Sequence, residues 1–570
     1  IDRQVLESID SNLDSESLTR PKNIKIWLRY SRHMPRWASI LFPDNVTLTY
    51  LSSFNGKQFA KQWIRLANIS ENIFEIQSLS EIDMNALGQG GSPVYQRTSL
   101  FCREDFDPVR YTVETAEKSW GIEFQKEQVI VHPPGGEEQQ MLPRNDARYL
   151  IGSTGHQAVL LAFLHEAGHL NAELSIFLPD PLMTVPYKLT LDEKSDEQSV
   201  SVQSSHEENF LLSKEGMLLE CLQPGKGVRT WLSEVPEELP EWAQGTMPSS
   251  SRVKYIPPVT DLFHLEDVTI TGPVTPIGAT ITIPKREGLL PAVLFLAGSG
   301  THDRHGIAGE IDVGYHEIVD FLSERGFVGL RYDSRGAGST RYGKDILDLG
   351  LTALIADAQA CLDYLKSRPE VDSDRIFLIG HSQGGIIALS LAGNVSNQPG
   401  GLVLLATPGR GLDEIMKEQL KFQSQDLGLS SEQIATQAKD LAVFIQLARS
   451  ERELQPGDIP DHLAGLVRNR TWLREHLENL PTDLMKKVRC PVLIVQGEED
   501  FQVSVLDANN LSLAARSSGI HSELILFPKL DHLLKPVSGE KGIKTYYYKD
   551  RHVSRDVLNQ MERWLLRHYK

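Results

Sequence analysis

The segment from Arg375 to Ala392, RIFLIGHSQGGIIALSLA, constrains this chain more than any other. An apolar run of strand length enters a Gly380-His381-Ser382-Gln383-Gly384 turn and leaves at once as an apolar helix. Packing alone does not ask for this, because an ordinary strand-to-helix turn is served by any Asp, Asn or Ser placed as an N-cap. A nucleophilic serine does ask for it. Its hydroxyl must project from a tight turn, and glycines two before and two after keep side chains out of the space where the helix recrosses the strand. The same turn aims backbone N–H groups and the positive end of the helix at an oxygen that gains charge when an acyl carbon is attacked. A bare G-x-S-x-G is a weak pattern, but between a clean strand and a clean helix it is a strong one.

The surrounding texture agrees. From about Phe263, short apolar runs (VTITG, ATITIP, AVLFLAG, FVGLRYD, RIFLIG, LVLLAT, PVLIVQG, ELILFP) alternate with amphipathic segments such as Val313 to Glu324 and Thr352 to Lys366. That rhythm predicts an α/β domain over 263–570, a mostly parallel doubly wound sheet covered by helices. Residues 410–486 break it, being charged, helical in period and without a strand, so they read as a helical cap insertion. Residues 1–235 read as a β-rich α+β N-terminal domain with one buried helix near Gln157 to His169. The Pro-, Ser- and Glu-rich stretch over 236–262 is the expected linker.

A serine hydroxyl attacks only when a neighbouring base takes its proton and an acid holds that base in the right tautomer. In this kind of fold the order along the chain is Ser, acid, His. PVLIVQGEEDFQVSV is a buried strand ending in a loop, and Asp500 lies just past its carboxyl end, preferred over its neighbours Glu498 and Glu499. After the next strand, ELILFPKLDHLLKP delivers His532; His521 precedes that strand, and His552 and His568 lie around the terminal helix. Asp531 reads as surface or loop structure. For the oxyanion, the expected donors are the Gln383 N–H and one main-chain N–H within Ser299, Gly300 and Thr301, in the loop after AVLFLAG. His302 and His305 lack a third ligand nearby and read as loop residues.

Taken together, GSGTHDRHG, RYDSRGAGST, GHSQGG, ATPGRGLDEIMKEQ, GEEDFQV and LDHLLKP, in this order, resemble a bacterial carboxylesterase branch of the α/β-hydrolase superfamily. The likeness covers about residues 263–570, leaving an N-terminal domain of unassigned type. It implies a serine hydrolase that cleaves carboxylic esters through an acyl-enzyme, with structural roles for Asp303, Arg304, Asp333 and Arg335 beside the site. Thr340 departs from a serine found there in some members. Thioesterase, peptidase and acyltransferase chemistry use the same triad and stay open, as does a binding protein built on an inactive hydrolase.

One rival motif sits in the first domain, His165-Glu166-Ala167-Gly168-His169. On a helix, His165 and His169 share a face and would bind zinc with Glu166 as base, the pattern of a metalloprotease. Gly168 weakens that helix and no third ligand follows at a familiar spacing, although Glu193, Glu197 and His206 are candidates. The expectation is therefore no metal and no cofactor.

A formal charge of −18 disfavours nucleic acid and anionic lipid surfaces, so the expected partner is a small-molecule ester or acyl substrate. Self-association into a homo-oligomer is left open. Cys102, Cys221, Cys361 and Cys490 are scattered, which suits buried free thiols better than a disulfide framework. No run reaches the roughly 18 apolar residues of a membrane helix. The chain opens on Ile1 and not Met, which leaves room for a removed leader, so a soluble protein, cytoplasmic or exported, is expected.

Overall fold

The computed structural model of this chain describes residues 38–568 apart from 39–40, 43–46, 71–72, 117, 133–138, 145–146, 180–182, 192–198, 205–207, 235–237, 244, 249–252, 343–348, 395–398 and 451–468. The candidate ligands Glu193, Glu197 and His206 lie outside the described residues, as do parts of the expected linker and cap.

From Leu48–Phe54 to Val228–Leu232 the chain forms one 15-stranded sheet in which the first and last strands pair, Tyr50 opposite Leu232, and sequence neighbours are spatial neighbours except at Gln140–Pro143 and Tyr149–Leu150, which form its two ends. Several strands, Lys57–Ser70 among them, carry charge and were not legible from alternation. The turn before this one is set locally: Asn55 and Gly56 both take positive φ, 48° and 79°, the two-residue geometry whose twist matches paired strands. The sheet curls, so that Phe124 and Phe177 from distant strands meet edge to face at 5.4 Å. Within the curl sits the helix Thr154–Glu166, buried from Gly155 to Ala162 and apolar on every side along most of that stretch, with Glu166 exposed at its end. Ser153 caps it by accepting from the His156 N–H at 3.2 Å. It starts earlier and stops earlier than the sequence suggested.

His156 on this inner helix is fully enclosed, and burial holds its pKa down at about 4. The unfolded chain takes up that proton near 6.5, so stability is complete above pH 6.5 and is lost as pH falls toward 4, by about 1.4 kcal/mol per pH unit. His156→Leu is expected to flatten the acid limb of the thermal midpoint between pH 6 and 4. An acid limb as steep as that of the unsubstituted protein would show that His156 does not titrate this way.

The second sheet has eight strands: β1 Phe263–Ile270, β2 Ile277–Pro284, β3 Leu290–Leu296, β4 Val328–Tyr332, β5 Val371–His381, β6 Gly401–Leu405, β7 Val492–Gly497 and β8 Ser522–Phe527. Their spatial order is β1-β2-β4-β3-β5-β6-β7-β8. The pairings of β1 with β2 and of β2 with β4 are antiparallel, and those from β4 to β8 are parallel. One face is covered by Leu351–Lys366, Gln383–Ala392 and Val505–Ser517, the other by Tyr315–Ser323 and Arg555–His568. Cover on both faces is why β2, β3, β6 and β7 are buried along their whole length and mostly apolar, with Thr280, Thr282 and Gln496 as polar exceptions. Because β3, β5, β7 and β8 run the same way, the loops after all four meet at one edge of the sheet, where a parallel sheet gathers its functional groups.

Between β6 and β7 come the helices Leu412–Asp426, Ser431–Arg449, Arg470–Glu478 and Pro481–Met485. Phe444, Ile445, Ala448 and Leu473 give the first three a small core of their own. The N-terminal sheet touches this layer and the edge beneath it. Ser92 bonds Glu310 through both its N–H and its hydroxyl, and Gln433 Nε2 donates to Asn55 Oδ1 at 2.7 Å. All four cysteines are free and buried. No helix among the described residues is long and apolar enough to cross a membrane.

Candidate active site

Ser382 stands between β5 and the helix Gln383–Ala392 at φ 52°, ψ −120°. A non-glycine residue there costs on the order of 1–3 kcal/mol, and such strain persists only where the surroundings over-determine it. They do so here through the Ser382 N–H, which donates to Leu405 O at 2.8 Å, and the Gly385 N–H, which donates to Ser382 O at 2.9 Å. The flanking glycines are sterically required. A Cβ on Gly380 would lie 2.3 Å from Gly384 O, and one on Gly384 would lie 2.0 Å from Leu296 O.

Asp500 follows β7 and His532 follows β8, and their side chains meet, His532 Nδ1 lying 2.8 Å from Asp500 Oδ2 with both side chains enclosed. The carboxylate is fully engaged. Oδ1 accepts from the Gln502 and Val503 N–H groups at 2.8 and 2.9 Å, and Oδ2 also accepts from Gln496 Nε2 at 2.9 Å. With Nδ1 donating to Asp500, the neutral His532 ring carries its lone pair on Nε2. Among the described residues the Ser382 hydroxyl and His532 Nε2 make no hydrogen bond to each other.

The residue before the serine joins these parts. His381 Nε2–H donates to His532 O at 2.8 Å, and its Nδ1 accepts from the Tyr315 hydroxyl at 3.1 Å. That hydroxyl in turn accepts from the Gly298 N–H at 3.0 Å. Burial holds the His381 pKa down at about 3, with the nearby His532 ring adding to the effect, so the ring stays neutral and the directions of these bonds are set. The chain therefore ties the serine turn, the base loop and the loop after β3 together. It also engages the Gly298 N–H and leaves Ser299, Gly300 and Thr301, where the sequence places the expected oxyanion donors, beside Gln383 at the start of its helix. Tyr315→Phe breaks two of the three links without opening space. The expected outcome is a kcat about tenfold lower at nearly constant KM and thermal midpoint; a change confined to KM would place Tyr315 outside this role.

Other loops are pinned by buried ion pairs. Arg304 meets Asp333 at 2.7 Å, and Arg335 meets Asp357 through two bonds of 2.7 and 2.9 Å. Asp303 accepts from the His305 and Ile307 N–H groups at 2.8 and 2.9 Å. Thr340 keeps a role in its altered position, accepting from the Gly278 N–H at 2.9 Å. Asp531 is loop structure and not surface: it is buried and holds the His532 loop by accepting from Arg551 at 2.6 Å and from the Leu533 and Lys535 N–H groups. His302 donates to Ser299 O at 2.9 Å and His305 stacks on Tyr255 at 4.1 Å, which fits loop residues and not a metal pair.

The sequence reading missed Tyr315 and Trp472. Trp472, on the inserted helix Arg470–Glu478, donates its indole N–H to Gln383 Oε1 at 3.3 Å. No local pattern pointed to either, because each acts on a residue far along the chain. A cavity of about 490 Å³ opens beside Gln383 and Ser299 to Thr301, lined further by Tyr332, Tyr342, Leu354, Ile387 and Trp472. Neither Ser382 nor His532 lines it.

The motif at His165, Glu166 and His169 does not form the shared helical face a zinc pair needs. The helix ends at Glu166, Gly168 takes φ 73°, and the His169 N–H turns back to Leu164 O at 2.8 Å. Gly168 thus follows a helix that has already stopped, where the sequence reading carried the helix on to His169 and took the glycine only as weakening it. Where three metal-type ligands do converge among the described residues, these three are not among them.

A family model described as serine aminopeptidase, S33, matches residues 304–535. Esterase EstD of Thermotoga maritima is 30% identical over 317 residues, 55% of this chain and 69% of that protein. The chain belongs to the esterase-like α/β hydrolases. A putative hydrolase of Bacillus subtilis, YtaP, is 33% identical over 125 residues, 18% of this chain and 39% of its own length. Among solved structures, Est1E from Butyrivibrio proteoclasticus with bound ferulic acid is 20% identical, covering 53% of this chain and 98% of that one, with a TM-score of 0.35. In this α/β hydrolase the family match begins inside the Asp303–Arg304 loop and ends just past His532, so Ser382, Asp500 and His532 all fall within it.

Proposed function

We propose that this α/β hydrolase cleaves carboxylic esters through an acyl-enzyme. Ser382 Oγ bonds to the acyl carbon while His532 takes the hydroxyl proton and passes it to the departing alcohol oxygen as the C–O bond breaks. Water then attacks the acyl-enzyme, gives a proton to His532, and the acid leaves as Ser382 regains its hydroxyl. Asp500 holds His532 in the tautomer that accepts at Nε2, and the N–H groups of Gln383 and of Ser299 to Thr301 receive the oxyanion. The observation that carries this reading is the 2.8 Å contact between His532 Nδ1 and Asp500 Oδ2, at the sheet edge from which Ser382 projects. The two sheets are read as two domains, 1–235 and 263–570 joined by 236–262, with 410–486 as the cap.

Peptide cleavage is the alternative suggested by the matched family's description. An enzyme that trims N-terminal residues needs a carboxylate free to bind the substrate ammonium. Among the described residues lining the cavity, the two carboxylates, Asp333 and Asp357, each face a guanidinium, which favours a neutral ester. The test is hydrolysis of p-nitrophenyl butyrate together with labelling by a fluorophosphonate probe. Esterase turnover with label on Ser382 is the expected result; turnover of aminoacyl amides with no ester hydrolysis would reverse the order of the two readings.

A further inference from the structure

We infer that the cavity beside Gln383 is the acyl pocket, and that it takes a neutral acyl group of medium chain length or an aryl-alkanoyl group. The inference rests on the proposed ester chemistry and adds the direction in which the substrate lies. His532 has to return its proton to the leaving oxygen, so the alcohol half of the ester must lie on the His532 side of Ser382. The carbonyl oxygen points between Gln383 and the loop after β3. The acyl chain takes the remaining direction.

Sheet order identifies that direction. Asp500 and His532 follow β7 and β8, on one side of β5. The cavity is lined by the loops after β3 and β4, by Leu354 of the helix that follows β4, and by Ile387 of the serine's own helix, toward the other side of β5. It touches the oxyanion loop and Gln383 and avoids the base. A leaving group placed there would be out of reach of the proton it needs.

The lining sets the chemistry. Its charges are neutralised in place, Asp333 by Arg304 and Arg335 by Asp357, the latter pair only 1% and 6% exposed. What remains facing the space is uncharged: aromatic and aliphatic groups of Tyr332, Tyr342, Leu354, Ile387 and Trp472, with neutral polar groups such as Ser334 and Asn469 between them. A carboxylate or ammonium on the acyl group would lose its water there and gain no free counter-charge. A volume of about 490 Å³ lies within the range of sites for drug-sized ligands and is far more than an acetyl group fills.

Two ester series test this, one varying the acyl chain of p-nitrophenyl esters from acetate to dodecanoate, the other varying the alcohol on a fixed octanoyl group. The protein is expected to gain roughly fourfold in kcat/KM per buried methylene until the cavity is full. Leu354→Trp, which fills it, is expected to move the optimum to shorter acyl groups and to lower the octanoate-to-acetate ratio at least about tenfold, with the order of the alcohol series kept. If Leu354→Trp does not fold, Ile387→Phe should shift the optimum the same way and Trp472→Ala toward longer chains. Reordering of the alcohol series with an unchanged acyl profile would assign the cavity to the leaving group and overturn the inference, as would an unsubstituted enzyme that prefers acetate. Those outcomes leave ester hydrolysis standing, whereas loss of both turnover and phosphonate labelling in the unsubstituted protein would remove the underlying reading too.

Discussion

Ser382→Ala is expected to lower kcat for a short p-nitrophenyl ester by about 10⁴-fold or more, the scale of triad knockouts. Stability should hardly change, because among the described residues the lost hydroxyl has no hydrogen-bond partner and alanine inherits the same φ of 52°. Ser382→Gly separates the two effects. Glycine occupies positive φ without strain, so this variant should be equally inactive yet more stable by about 1 kcal/mol. Thermal midpoints and steady-state rates on all three proteins check the prediction. Retained turnover in either variant would mean that another nucleophile does the work, and a stability loss in both would mean that the hydroxyl is structural.

Asp500→Asn is the second large effect. The carboxylate accepts four hydrogen bonds, two at each oxygen, and an amide cannot do so, because its NH₂ must face donors wherever it is placed. Turned toward His532, the NH₂ can only donate, which requires the imidazole to present a lone pair at Nδ1; that puts the proton on Nε2 and leaves Ser382 without a base. Loss of the correct tautomer costs on the order of 10⁴ in kcat in serine hydrolases built this way. The nearby Glu499 supplies a control, since it is half-exposed and pairs with Lys541 at the surface. Glu499→Gln should keep kcat within about twofold. Full loss in Glu499→Gln with activity retained in Asp500→Asn would move the acid to its neighbour.

These effects follow from features of unequal legibility. Asp500 and His532 are 32 residues apart, yet both could be named beforehand because each follows a recognisable buried strand and parallel strands deliver their ends to one edge. The bond between Tyr315 and His381 spans 66 residues, and the one between His381 and the His532 carbonyl spans 151. No strand-end rule points to a helix-start tyrosine or to a carbonyl. The HEAGH motif shows the opposite failure, since the spacing of two histidines assumed a helix that stops before its own glycine.

Residues a few positions apart settled the turn that strains Ser382, the two glycines it requires, the apolar strands of a sheet covered on both faces, and the stop before Gly168, because steric fit and backbone preference act over a single turn of chain. Only the folded chain decided that Tyr315 locks the serine turn to the loop after β3, that Asp531 is buried, that Trp472 reaches Gln383 across 89 residues, and on which side of β5 a cavity opens. Those are matters of which distant surfaces come to lie against each other. That depends on sheet order and on where an inserted layer of helices settles, and neither is written in any one stretch.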